Sequence, residues 1–299
     1  MSVFSKVLVA NRGEIAVRVL QTLQAMGIAT VGVYSDPDSN APHVALADEA
    51  FALVGSTAEE TYLNAQKIID LALLCNAEAV HPGYGFLSEN PDFSRGCTEA
   101  GLVFIGPGPE TIALLGDKIR SKETAAQAGV PVVPSSSIWE PGEPQPGSLS
   151  SEIGFPLLVK AAAGGGGRGM RLVERAQDLE QALESASREA VSSFGDGRVF
   201  LERYITTARH VDFQVLADSV GNTVHLFERE CSVQRRYQKV IEETPSPALD
   251  EDLRDRMAAS AVALAKSARY TNAGTVEFLV DSDTGEYFFL EMNARIQVE

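Results

Sequence analysis

The chain has 299 residues, 44% of them hydrophobic, and a formal net charge of −16. That length and apolar content suffice for a sizeable core and more than one lobe, while the acidic balance excludes general attraction to nucleic acid or to an anionic membrane, so any anion site must be built locally. No window reaches the apolar length of a membrane-spanning helix, the first residues do not read as a secretory signal, and Cys75, Cys97 and Cys231 form no CxxC pair; a cytoplasmic protein without a cysteine-held zinc is expected, or a mitochondrial-matrix one in a eukaryote.

In chain order, Lys6 to Ala10 reads as a buried strand, and Asn11-Arg12-Gly13-Glu14 leads into a helix with Ile15, Val19 and Leu23 on one face. Strands at Thr30 to Tyr34, Phe51 to Val54, Ala79 to Val80 and Leu102 to Ile105 alternate with helical stretches at Leu63 to Leu74 and Asn90 to Ala100. Such alternation predicts an α/β, doubly wound parallel sheet over residues 1–112. Loops that follow parallel strands are where these sheets bind ligands, which singles out His81 to Asn90 with its two glycines and proline. A lone Gly13 is far from a GxGxxG fingerprint, so dinucleotide binding has little support. A helical stretch from Thr111 to Ala128 carries Lys118, and the Pro-, Ser- and Gly-rich run Val130 to Ser148 reads as a junction.

Next comes Leu157 to Met170, an apolar strand ending in Lys160, then Gly164, Gly165, Gly166 and Gly167, then Arg168 and a second β-type run to Val173. A loop nearly free of Cβ atoms can wrap closely and aim its N–H groups at an anion. The lysine precedes the glycines and a strand follows them, unlike the Walker arrangement, so a hinged flap over phosphates is expected rather than a fixed cradle. A helix near Ala176 to Ser193 follows, with strands at Val199 to Ile205, His210 to Ala217 and Val224 to Glu230. Arg235, Arg236 and Lys239 form the densest basic cluster of an acidic chain, and Asp250 is placed to cap a helix bearing Leu253, Met257, Ala261 and Leu264 on one face.

The final segment reads as a hairpin, Gly274 to Val280 and Tyr287 to Asn293, turning at Asp283-Thr284-Gly285. Period-two alternation puts Glu291 and Asn293 on one side, where Glu277 of the neighbouring strand can meet them. Two carboxylates and an amide oxygen are hard ligands suited to magnesium, with Arg295 and Gln297 continuing the same alternation.

Lys118, Lys160 with the following glycines, Leu201 to Ile205 and the Glu277, Glu291, Asn293 trio together resemble the ATP-grasp superfamily. Within it, Ala10 to Ala16, His81 to Asn90, Gly164 to Met170, Cys231 to Arg236 and Glu291 to Glu299 resemble biotin carboxylase, from about residue 5 to the final residue. The resemblance implies a biotin carboxylase N-terminal domain at 1–112 and an α+β ATP-grasp domain at 113–299, incomplete at its C-terminal side, with a Gly-rich lid at about 133–203. It implies carboxylation of biotin on a carrier protein by bicarbonate at the expense of ATP, with magnesium, or manganese in its stead. Lys118, Lys160 and Gly164 to Gly167 correspond to phosphate-binding positions, and Glu202, Arg203, Tyr204, Ile205 and His210 to the adenine and ribose site, with Gln234 and Tyr237 also on ATP. Glu277, Glu291 and Asn293 correspond to metal ligands and Lys239, Arg295, Gln297 and Val298 to bicarbonate-site positions. Glu299 matches the base that deprotonates bicarbonate, and Tyr84 a position near the biotin ureido ring. Arg295, Glu299 and Lys239 are the implied catalytic trio.

Tyr237 stands where relatives commonly carry an ATP-contacting histidine, and Ala163 where many have a further glycine. Family members continue beyond Glu299, so the chain reads as the front portion of a larger carboxylase, expected to be inactive in isolation. A carrier protein, a carboxyltransferase and a homo-oligomeric parent are the implied partners. The alternatives are an ATP-grasp ligase of the carbamoyl phosphate synthetase type and a non-catalytic nucleotide-binding module.

Overall fold

The computed structural model describes residues 4–142, 153–162, 170–235 and 238–298. The first lobe begins with β1 (Lys6–Val9), α1 (Gly13–Ala25), β2 (Ala29–Tyr34), α2 (Pro42–Leu46), β3 (Glu49–Ala52), α3 (Ala65–Leu74), β4 (Ala79–His81), α4 (Pro91–Glu99) and β5 (Val103–Phe104). The strands pair in parallel in the order β3-β2-β1-β4-β5. They are apolar because both faces are covered: Val7 and Val9 pack under α1, while Leu8, Val31 and Val80 belong to the core on the other face. The chain leaves β1 toward one edge of the sheet and returns at β4 toward the other, so the crevice beyond the carboxyl ends of β1 and β4 is the switch point. The loops of that crevice are the Asn11 and His81 to Asn90 segments.

The expected strand at Phe51 to Val54 lies two residues earlier, because Val54 adopts φ 42°, a left-handed conformation that ends the extended run. The expected single helix from Thr111 to Ala128 is two, α5 (Pro109–Gly116) and α6 (Lys118–Gln127). Asp117 between them is extended, and its carboxylate caps the N–H groups of Ile119 and Arg120, a local bond that competes with helix continuation.

The supposed junction holds a strand, β6 (Ser135–Trp139). With β7 (Leu157–Ala161), β8 (Arg171–Val173) and β9 (Val199–Arg203) it makes an antiparallel sheet of order β6-β9-β7-β8, covered by α7 (Leu179–Phe194) through Leu179, Leu183 and Ala186. The proline and serine content of Val130 to Ser148 masked the Ser-Ser-Ile-Trp alternation that pairs with β9.

The last sheet is antiparallel too, β12-β11-β10-β13-β14, from β10 (Ala208–Ala217), β11 (Thr223–Arg235), β12 (Gln238–Glu243), β13 (Asn272–Asp281) and β14 (Tyr287–Asn293). α8 (Glu251–Ser267), capped by Asp250, packs Leu253, Met257, Ala261 and Leu264 against Val211, Phe213 and Val215. One face of this sheet is therefore apolar and the other is left for His210, Asp212, Glu277, Glu291 and Asn293. The strand β12, absent from the sequence expectation, carries Lys239 back across from Gln234. Val132 bridges to Phe289, which fastens the segment after α6 to β14.

Candidate functional site

Lys118 opens α6, so the cap at Asp117 fixes where its side chain starts. Lys160 near the end of β7 lies opposite Phe200, and its ammonium meets the Glu202 carboxylate at 2.6 Å. Glu202 is 1% exposed, and its other oxygen accepts from Lys122, also on α6. Burial would raise the Glu202 pKa, but the charges of Lys160 and Lys122 outweigh it and hold the carboxyl below its usual range. Lys118 is pulled below the ordinary lysine value by burial and then by the Lys160 charge, with Glu291 and Glu202 opposing. Three lysines and two glutamates thus share one partly desolvated corner. The Arg203 N–H donates to Pro134 O at 3.0 Å and the Tyr204 N–H to Pro156 O at 3.2 Å, whereas the Ile205 N–H makes no hydrogen bond among the described residues. Gly164, Gly165, Gly166, Gly167, Tyr237 and Glu299 lie outside the described residues.

On the open face of the last sheet, pairing aligns Asp212 with Glu277 and Glu277 with Glu291, while Gln214, Thr275 and Asn293 form the next row. Directly opposed side chains of antiparallel strands lie on one side, so the carboxylates are forced together. His210 Nε2 is 2.7 Å from Glu277 and 3.2 Å from Asp212, and Lys239 binds Asp212 and reaches Glu277 at 3.2 Å. Burial lowers the His210 pKa, but hydrogen bonds to Asp212 and Glu277 and their charges overcome this and raise it to about 9. Burial likewise raises Glu277, yet His210 and Lys239 bring it to about 2. Glu291 goes the other way: burial and then the Glu277 charge push it up, with Lys118 and Lys160 opposing.

Two details add partners the sequence expectation did not contain. The Asn293 amide, beside Glu277 as expected, donates its NH2 to that carboxylate at 2.5 Å, and its oxygen accepts from Arg295, a charged donor, at 2.8 Å. His210, expected at adenine and ribose, hydrogen-bonds Glu277 and Gln234, the latter at 2.8 Å. Arg295 is further held by Glu89 of the first lobe at 3.1 Å, and Glu89 also accepts from the Ala294 N–H at 2.9 Å. Gln297 bonds to Arg229, which also contacts Gln214 and Glu242. Val298 is exposed.

At the switch point, Asn11 donates to Pro82 O and Tyr84 O, both at 2.8 Å, and the Tyr84 hydroxyl donates to Glu14. Gly83 has φ 66°, and a Cβ there would stand 2.8 Å from the Asn11 amide nitrogen, so glycine is required twice over.

His210, Asp212 and Glu277 are close enough to share a metal ion. Their negative charge is already matched by protonated His210 and by Lys239, which fits a salt-bridge cluster better than a cation site. Glu291 forms no hydrogen bond or ion pair among the described residues, and its carboxyl is raised beside Glu277. That pair, with Asn293, fits a hard divalent cation, which would neutralise the repulsion.

Sequence reasoning missed Lys122, Asp212, Arg229 and the particular role of Glu89. Lys122 was legible as the i+4 neighbour of Lys118 on a helix, and Asp212 as the i+2 neighbour of His210 on a strand. Arg229 had no such signal.

Residues 3–112 match the family described as biotin carboxylase, N-terminal domain, and residues 117–299 match the carbamoyl-phosphate synthase L chain, ATP binding domain. The chain belongs to the biotin carboxylase family. A biotin carboxylase of Nostoc sp. is 51% identical, the match covering 99% of this chain and 66% of that protein. The methylcrotonoyl-CoA carboxylase subunit alpha of Dictyostelium discoideum is 52% identical over 99% of this chain and 42% of its own length. The chain therefore spans two-thirds or less of these curated relatives. Among solved structures, the biotin carboxylase domain dimer of Hydrogenobacter thermophilus 2-oxoglutarate carboxylase, in complex with MgADP, ADP and bicarbonate, superimposes with TM-score 0.94 at 49% identity, covering 100% of this chain and 66% of that one. The family's doubly wound N-terminal lobe and antiparallel ATP-grasp sheet are both present here.

Proposed function

We propose that the chain is the part of a biotin carboxylase that binds nucleotide and bicarbonate and carries out the first half-reaction of a biotin-dependent carboxylase. The observation that carries this is the convergence of Lys118, Lys160 and the Glu277–Glu291 pair on one corner, with Arg295 anchored beside it. Phosphoryl transfer asks for positioning and charge neutralisation, and this corner supplies cations and a divalent-ion site within one desolvated region.

In this reading Lys118 and Lys160 bind the ATP phosphates and the Ile205 N–H faces the adenine edge. Glu277, Glu291 and Asn293 would hold magnesium, whose chemistry is to neutralise charge on the phosphate oxygens. Arg295, braced by Asn293 and Glu89, orients bicarbonate together with Lys239, Gln297 and Val298. Glu299 takes the bicarbonate proton as a bicarbonate oxygen attacks the γ-phosphorus and ADP leaves. The resulting carboxyphosphate breaks into carbon dioxide and phosphate; phosphate takes the ureido N–H proton of biotin, near Tyr84, and that nitrogen attacks carbon dioxide. A biotinylated carrier and a carboxyltransferase are the partners, and the acceptor chosen by the latter lies outside this lobe pair. We take the domain limit at 112 and a lid over about 133–203 as the family resemblance implies them; the passage from a parallel sheet to antiparallel ones after β5 is consistent with the first. A cytoplasmic or mitochondrial-matrix setting is supported by the reduced, buried Cys75, Cys97 and Cys231.

We further propose that these residues alone do not carboxylate biotin, since the relatives span more chain; a version extended to the relatives' length is the comparison that tests it. For the nucleotide site, Glu291→Gln is expected to weaken magnesium-dependent ATP binding about tenfold, because a charged ligand to a hard cation is lost. Unchanged affinity in calorimetry would remove Glu291 from the metal site.

A further inference from the structure

Glu202 is paired with two lysines at once, although one would match its charge. Lys160 approaches from β7 and Lys122 from α6, and the Lys122 ammonium lies 5.1 Å from the centroid of the Phe200 ring. The side chains of Lys122, Lys160 and Glu202 are only 11%, 10% and 2% exposed. A carboxylate so deeply buried cannot be left without a counter-ion, because water is not there to replace it. Lys160 can turn from Glu202 toward a phosphate only if another cation stays behind.

We infer that Lys122 is that cation. It is a positioning residue that keeps Glu202 neutralised and in place while Lys160 swings onto the phosphates of a nucleoside triphosphate; the inference rests on the nucleotide reading above. Lys118, one helical turn before Lys122, has no such tether among the described residues and needs no replacement. Without Lys122, Lys160 becomes the sole partner of Glu202, and phosphate binding must break a buried ion pair to recruit it. A ligand lacking phosphates makes no such demand.

The test is the ratio of Mg-ATP to adenosine affinity in the full natural chain, measured by competition against a fluorescent nucleotide. Lys122→Met is expected to lower that ratio at least tenfold by weakening Mg-ATP and sparing adenosine. In the Glu202→Gln background, where Lys160 is already released, adding Lys122→Met should change the ratio less than threefold; this pair also decides the matter should the single variant fold poorly. An unchanged ratio in Lys122→Met, an equal loss of both ligands, or a tenfold fall in the Glu202→Gln background overturns the role, the last by showing that Lys122 meets phosphate directly. A wild-type protein that binds no nucleotide overturns the functional reading and this inference with it.

Discussion

His43 in the first lobe is fully buried and His210 on the last sheet nearly so, yet they reach opposite charge states. Among the described residues His43 has only the Val33 carbonyl at 3.1 Å for Nε2 and no hydrogen bond at Nδ1, and burial draws its pKa below the ordinary value. His81, at the end of β4, is taken by burial to about 4. His210 meets the same desolvation but has Asp212 and Glu277 within hydrogen-bond reach and rises to about 9. Around it, burial pushes Cys97 and Tyr62 of the first lobe each up to about 12 and raises Cys231, Tyr270 and Glu291 of the second, but only the second holds His210, Lys239, Glu277 and Glu202 charged in compensated, deeply buried sets. Desolvation alone does not decide a charge state; the nearest opposite charge does. The first lobe is thereby a scaffold and the second an electrostatic instrument.

Removing one arginine from each lobe should expose that difference most sharply. Arg295→Ala in the full natural chain is expected to lower bicarbonate-dependent ATP cleavage about a thousandfold with ATP affinity nearly intact, since Arg295 serves a reacting anion. Arg12 lies 5.5 Å from the Tyr62 ring centroid and 3.0 Å from Asp38, a structural pairing in the first lobe. Arg12→Ala should leave turnover within about threefold, as expected for a half-exposed ion pair. Equal losses in the two variants would erase the distinction between scaffold and instrument.

Most of the first lobe was legible because parallel βα units advertise themselves: continuous apolar strands and helices of period 3.6. The hairpin of β13 and β14 was legible for a similar reason, since alternation by itself lets Glu277 meet Glu291. What stayed hidden depends on contacts distant in sequence. Glu89 is 206 residues from Arg295, and nothing local distinguishes it from a solvated glutamate. β6 was hidden by composition, and β12 because Lys239 was read only as part of the basic cluster with Arg235 and Arg236. The contact of His210 with Glu277 was not legible because it arises only once β10 and β13 are in register.

The second test concerns pH. His43 and His81 have folded pKa values below their unfolded one, about 6.5, so the unfolded chain takes up protons first as pH falls. Their contribution is present above about 6.5 and is lost as pH falls below it, for His81 through about 4. His210 has the opposite sign: its contribution is present below about 6.5 and is lost as pH rises through about 9. Between pH 6.5 and 4.5 the His81 share of the decline should be about 2 kcal/mol. Denaturant midpoints of wild type and His81→Gln at the two pH values would show the variant losing correspondingly less; parallel declines would return His81 to the ordinary, solvated class.

The smallest effect probes a polar contact between the scaffold and the instrument, Glu89 with Arg295. Asn90 caps α4 by accepting from the Phe93 N–H at 2.9 Å, and Asn64 caps α3 by accepting from the Lys67 N–H at 3.0 Å. The two caps are chemically alike, so each change to alanine should cost about 1 kcal/mol of stability. Their positions differ: Asn90 follows Glu89, whose carboxylate holds Arg295 and the Ala294 N–H, while Asn64 has no link to the site among the described residues. Loosening the start of α4 frees the backbone that aims Glu89, and a misaimed brace costs Arg295 orientation rather than charge. Asn90→Ala is therefore expected to reduce kcat about threefold with KM for ATP unchanged, and Asn64→Ala to leave both alone at the same loss of stability. If the two variants turn over alike, the contact between Glu89 and Arg295 fastens the lobes together without tuning the reaction.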